Sequence, residues 1–108
     1  MPETSNWIDG RLPDAKTRLF LVPSVINFQI KSVMLVNNHE TEIVTAELWI
    51  TRKGSTYSRR IFRKFPIAPS GDAQEHNVFI PLRSGDSIEG KASLGDQVDY
   101  VIAYCAEM

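Results

Sequence analysis

The chain has 108 residues, of which 43% are hydrophobic and 23% are charged, and its formal net charge is −1. This length is typical of a single domain, and this composition excludes a disordered chain. Because the net charge is close to zero, any affinity for anions must come from local clusters of basic residues.

The first segment, residues 1–16, is predicted to be an extended N-terminal arm. It holds two prolines and several polar residues, with Trp7 and Ile8 as its large apolar pair. Flexible termini usually carry little apolar surface, so we expect these two side chains to dock on the chain's own domain or on a neighbouring molecule. Residues 17–108 are then predicted to form a single β-sandwich domain.

Short β-strands are predicted from residue 17 onward. TRLFLV (17–22) is typical of a strand that ends at Pro23, which cannot donate to a ladder. In INFQIKSVMLVNN (26–38) the apolar alternation slips near Lys31 and Ser32, which indicates a β-bulge. The polar run that follows, 37–41, is typical of a turn.

The clearest period of two lies at residues 44–51 and predicts a strand with one buried face. Lys53-Gly54-Ser55-Thr56 predicts a hairpin turn, and residues 57–65 are the expected partner strand. Residues 70–77 are predicted to be a loop. Further strands are expected at 77–82, around Ile88 and at 98–108.

No window shows a sustained helical apolar stripe, so almost no helix is expected. Seven or eight short strands separated by turns predict an all-β fold, an antiparallel sandwich or jelly roll. The predicted core consists of Phe28, Ile30, Val33, Leu35, Val44, Ala46, Leu48, Ile50, Ile80, Leu82, Ile88, Val98, Tyr100 and Ile102.

The single cysteine and the short apolar runs argue against a disulfide-bonded, zinc-binding or membrane-spanning protein. Cys105 is the only cysteine, so we expect no intrachain disulfide and no zinc centre, and we predict a buried apolar role for it. The first ten residues lack the features of a signal peptide. The longest apolar run, residues 100–106, has seven residues, whereas a membrane helix needs roughly 20. We therefore expect synthesis in the cytoplasm and no membrane partner.

Few residues are arranged for catalysis. His39 and His76 fall in predicted loops without a second ligand at metal spacing, and we expect both to be solvated. The acidic pairs Glu40/Glu42 and Asp96/Asp99 flank turns, and no glycine-rich phosphate loop occurs. The sequence therefore predicts no enzyme, no metal and no cofactor.

The most unusual segment is TRKGSTYSRRIFRKF (51–65), which contains six of the twelve basic residues. Aromatic residues among these cations suggest a groove for single-stranded nucleic acid. Strand alternation, however, divides the charge between two faces, as in an edge strand that resists stray pairing. In a third interpretation the segment contacts residues 72–108 of another subunit, which carry seven acids and two bases. A fourth hypothesis is a carbohydrate platform of Trp49, Tyr57 and Tyr100.

The order of motifs resembles small β-rich virion proteins of tailed bacteriophages. The resemblance is carried by TRLFLVP (17–23), IKSVMLVNN (30–38), VTAELWITRKG (44–54), IPLRSGDSIEGKAS (80–93) and VDYVIAYCAE (98–107). The chain departs from that pattern at Cys105-Ala106, where a glycine usually precedes the final glutamate, and in its stronger basic hairpin.

This resemblance implies a non-enzymatic structural protein of the virion, in particular a capsid decoration or cement protein. The alternatives are a neck, tail or fibre-attachment protein and, as a lesser alternative, a nucleic-acid-binding domain. The implied partners are the major capsid protein or other virion proteins and further copies in a homo-oligomer. The residues proposed for protein contacts are Trp7, Ile8, Arg52, Lys53, Arg59, Arg60, Arg63 and Lys64.

Overall fold

The computed structural model describes residues 3–25, 27–61, 65–71 and 73–107. These residues form nine β-strands and no helix, and so contain no helical segment that could cross a membrane. The strands are β1 (Glu3–Arg11), β2 (Thr17–Leu21), β3 (Asn27–Asn37), β4 (Val44–Thr51), β5 (Ser58–Arg60), β6 (Phe65–Ile67), β7 (Ala73–Leu82), β8 (Ser87–Ala92) and β9 (Val98–Glu107).

The strands form two antiparallel sheets that face each other. Sheet A has the order β1-β9-β3-β7, and sheet B has the order β2-β8-β4-β5, with β6 also pairing with β4. If β5 and β6 are counted as one interrupted strand, this alternation of successive strands between sheets is that of an eight-stranded jelly roll. The all-β, jelly-roll-like fold class is therefore confirmed.

The unpaired arm expected at residues 1–16 needs correction, because β1 belongs to sheet A. All nine of its residues pair in register with β9, from Glu3 opposite Glu107 to Arg11 opposite Asp99. The strand lacks an apolar alternation because position 10 faces the core as glycine. A Cβ there would lie 2.9 Å from the Tyr100 Oη, so the tyrosine ring fills the space of a side chain.

The loop predicted for residues 70–77 also needs correction, because β7 already begins at Ala73. Gln74 and His76 face inward opposite Leu35 and Val33 of β3. Both side chains are only half-buried, since β7 is the edge strand of its sheet. Polar side chains are tolerated at such inward positions. Because they replace the inward apolar residues, the sequence shows no apolar alternation at the start of β7.

The expected partner strand of β4 is divided into β5 and β6. β5 pairs opposite Trp49–Thr51, and β6 pairs opposite Val44–Ala46 with Pro66 at its centre. Proline is accepted there because, among the described strands, β6 pairs only with β4, and no second neighbour requires its N–H. The predicted hairpin turn is confirmed: Gly54 has a φ of 78°, and the Ser55 N–H donates to the Arg52 carbonyl at 3.0 Å.

The predicted bulge and buried face are confirmed. The register of β3 shifts between Ile30 and Ser32 against both of its neighbours. Of the predicted core, all members are buried except Ile80, which is half-buried against it. Leu12, Val22 and Ile67 are further buried core residues that the pattern missed because each lies next to a proline or in a connection.

Candidate interaction surfaces

The predicted docking pair on β1 is separated by strand alternation. Ile8 faces Ile102 and packs against the core between the sheets, so it is unavailable to a partner. Trp7, opposite Ala103, lies on the outer face of sheet A with 63% of its surface exposed. Only the tryptophan is therefore a candidate contact with another molecule.

Arg52 and Lys53 begin the turn after β4 and meet the turn between β7 and β8. The buried carboxylate of Asp86 accepts hydrogen bonds from the backbone N–H groups of Arg83, at 2.8 Å, and Lys53, at 2.9 Å. It also forms a 2.8 Å ion pair with Nη1 of Arg52. Asp86 thus joins the two turns at one end of the sandwich.

The ionised form of Asp86 is favoured by these donors. Burial raises the pKa of its carboxyl, but the hydrogen bonds from Arg83, Lys53 and Arg52 and the charge of Arg52 lower it. The net pKa is below its ordinary value. Asp86 is consequently a structural anion, and its charge is matched within the chain.

Around this anion lies an open cleft of about 730 Å³, which we call the basic cleft. Its charged lining residues are Arg52, Lys53, Arg83 and Asp86, and Asn27 adds a polar amide. Arg83 was not singled out from the sequence, because it is far along the chain from the basic segment. The turn between β7 and β8 places it beside Arg52 and Lys53 in the fold. The stem of Lys53 lies against Gly85, where a Cβ would come within 2.5 Å of its Cδ.

Of the remaining predicted basic residues, Arg59 and Arg60 do not line this cleft. Arg60 forms a 3.2 Å ion pair with Glu47 and lies over the Trp49 ring at 5.9 Å, while Arg59 lies over Tyr57 at 5.3 Å. Arg63 and Lys64, which were also predicted contact residues, lie outside the described residues. Among the described cations of this segment, Arg52 and Lys53 line the basic cleft, whereas Arg59 and Arg60 lie elsewhere on the surface.

The outer face of sheet B carries a polar cluster that the sequence did not reveal. Glu89 is 8% exposed, and its carboxylate accepts hydrogen bonds from the hydroxyls of Thr51 and Ser87. Lys16 donates to Ser58 at 2.6 Å and lies 4.8 Å from the centre of the Trp49 ring. These contacts are satisfied within the chain, so this face contributes to stability rather than to a reactive site.

The carbohydrate platform of Trp49, Tyr57 and Tyr100 is not formed, and this hypothesis was wrong. Tyr100 is buried between the sheets, where burial and then the charge of Asp9 raise the pKa of its phenol. The Trp49 ring is flanked by Lys16 and Arg60. Only Tyr57 is well exposed, and a single ring is not a platform.

The residues considered for catalysis have structural positions. The Nδ1 of His39 accepts hydrogen bonds from the backbone N–H groups of Thr41 and Glu42, at 3.2 and 2.9 Å, so it orders its own loop. His76 lies on β7, not in the predicted loop, and Cys105 is buried on β9, as predicted. Within the described ranges, no group of three or more His, Cys, Asp or Glu residues is arranged to hold a metal ion.

The comparisons with known proteins identify the fold. No protein-family model and no curated protein sequence matches the chain. A structure of infectious bursal disease virus, strain Gx, matches 99% of this chain with a TM-score of 0.57 and 11% identity, although the chain spans only 33% of that protein.

Two further structures match over most of their own length. The capsid structure of the Helicobacter pylori bacteriophage KHP30 matches 98% of this chain, and 87% of the capsid chain, with a TM-score of 0.54 and 10% identity. A pilus structure of Bacillus endospore appendages matches 99% of this chain, and 88% of its own, with a TM-score of 0.55 and 11% identity. Identities this low establish a shared fold and no more.

Proposed function

We propose that this protein is a non-enzymatic structural component of a virion, present in many copies and located in the particle. The finer proposal is a capsid decoration or cement protein that binds the head lattice through its β-domain and its N-terminal residues. The observation that carries the proposal is the all-β, jelly-roll-like fold, which a bacteriophage capsid structure matches over 98% of this chain.

The chemistry of the surface supports the same proposal. His39 orders its own loop and Cys105 is buried in the fold, and the described ionic contacts join one part of the chain to another. Exposed apolar side chains remain on the outer faces and edges, among them Trp7 and Phe79, which are 63% and 64% exposed. Large exposed apolar side chains of this kind are common anchors in protein–protein contacts.

Fractionation of particles from the source organism tests this function. We expect the chain to co-sediment with density-gradient-purified particles in many copies, and antibody labelling on the head would support the decoration role. Labelling confined to the neck or tail would support the alternative position in the virion. Recovery of the chain only among free proteins would contradict the proposal.

A matched pair of substitutions on β1 separates folding from contact. Trp7→Ala is expected to change the Tm by no more than a few degrees, because its ring is mostly in solvent, and to weaken binding to the particle. Ile8→Ala is expected to lower the free energy of unfolding by about 1.5 kcal/mol, because Ile8 packs against the core. Thermal denaturation and particle binding measured on both variants check this; unchanged binding by Trp7→Ala would remove Trp7 as a contact.

A further inference from the structure

We infer that the basic cleft binds the opposite, acidic end of a second copy, so that copies associate end to end. The acidic end consists of the exposed carboxylates Asp14, Glu40, Glu42 and Asp96. This inference rests on the proposed function in one respect only: a structural component of a virion is present in many copies, so that copies meet one another.

The two surfaces lie at opposite ends of the molecule. β3 has 11 residues and is about 33 Å long at ~3.3 Å per step between residues. It runs from Asn27, which lines the basic cleft, to Asn37, which precedes the connection that holds Glu40 and Glu42. The basic cleft is formed by connections at one end of the strands, and the acidic residues lie in connections at the other end.

The charges of the described residues that line the basic cleft do not balance. Of its lining residues, three are cations (Arg52, Lys53 and Arg83) and one is an anion, Asp86, which leaves two net positive charges. Asp86 already accepts from three donors. Among the described residues, Nε and Nη2 of Arg52 have no acceptor, so part of a planar guanidinium that Asp86 holds in place remains available for a carboxylate.

The acidic end is a preformed surface of opposite sign. None of its four carboxylates forms an ion pair with a described residue, whereas the neighbouring Asp99 is neutralised by Arg11 at 2.9 Å. Its loops are fixed by backbone hydrogen bonds from Asp96 to the Leu12 carbonyl and from Asn38 to the Gln97 carbonyl. A loop that is already ordered loses little further entropy when it binds.

The geometry favours a second copy over a nucleic acid as the occupant of the basic cleft. A nucleic-acid strand requires cations that track its backbone, but Arg59 and Arg60 are engaged elsewhere. A contact between two different ends of identical chains is heterologous, so repetition produces either a closed ring or a filament. Since the paired charges are near the surface, the contact should weaken strongly with salt.

Charge reversal with mutual rescue tests this inference. Lys53→Glu/Arg83→Glu reverses the basic cleft and leaves Arg52 in place to hold Asp86, and Glu40→Lys/Glu42→Lys reverses the acidic end. The control for the cleft reversal, Arg18→Glu/Lys31→Glu, changes the net charge by the same amount, but its two residues lie on the outer faces of the sheets, opposite Glu89 and over Phe79. Sedimentation velocity in about 20 mM and about 500 mM salt measures self-association of each protein, and thermal denaturation checks that each is folded.

We expect wild type and control to associate in low salt and to dissociate in high salt. Each reversal alone should weaken association at least tenfold, and an equimolar mixture of the two reversed proteins should restore it. Wild type that remains monomeric in low salt, association indifferent to salt, or a mixture without rescue would overturn the inference. Retention of a monomeric wild type on single-stranded DNA, lost on reversal of the cleft, would overturn it in favour of nucleic acid. Co-sedimentation with particles does not depend on any of these outcomes.

Discussion

Asn37→Ala is expected to cause a large loss of stability, about 3 kcal/mol in the free energy of unfolding. Asn37 is fully buried at the end of β3. Its side-chain amide donates to the carbonyls of Glu42 and Ile67, at 2.9 and 3.0 Å, and its Oδ1 accepts from the His39 N–H at 2.9 Å. Alanine would leave the buried Ile67 carbonyl, the part-buried Glu42 carbonyl and the His39 N–H without this partner.

The loss should concern folding as a whole, because this one side chain joins β3, the loop before β4 and the end of β6. Chemical denaturation of purified protein measures it, with Asn77→Ala as the matched control, since Asn77 is exposed on β7. The control is expected to stay within about 0.5 kcal/mol of wild type. Equal stability of the two variants would show that the Asn37 hydrogen bonds do not join these elements.

Asp86→Asn is expected to destabilise the protein by about 2 to 3 kcal/mol at neutral pH. The amide has the same shape but removes the charge that faces Arg52. Its NH₂ group would also meet at least one of the two backbone N–H donors, Arg83 or Lys53, that now bond to the carboxylate. Urea denaturation against Asp96→Asn, an exposed turn residue, measures the effect.

The same carboxylate gives the stability a defined pH dependence. The folded-state pKa of Asp86 is below the ordinary value of 3.8, so the unfolded chain binds its proton more readily. The contribution of Asp86 is therefore fully present above the ordinary value and is lost as the pH falls through the folded-state pKa. The difference between wild type and Asp86→Asn should shrink over that range, and a difference that stays constant with pH would contradict this role.

The strands with strong alternation could be predicted because their pattern reports directly on burial. The central strand β4 points four apolar side chains at the core: Val44, Ala46, Leu48 and Ile50. The bulge at Lys31–Ser32 is visible in the sequence as a change of phase in the apolar alternation. In sheet A, the edge strand β1 and the first half of the edge strand β7 could not be predicted in this way. On β1 the inward Gly10 is compensated by Tyr100, 90 residues further along the chain, and on β7 the inward Gln74 and His76 are only half-buried.

The candidate surfaces show the same division. The sequence by itself determined that the chain is all-β and that residues 52–64 are unusually basic, because residue composition and strand periodicity can be read without knowing which strands pair. Only the tertiary structure decided which charges act together. It separates Arg52 and Lys53 from Arg59 and Arg60, adds Arg83 to the first pair, and buries Asp86 between them. Charge interactions depend on distance in space, and a jelly roll brings into contact residues that are far apart in the chain.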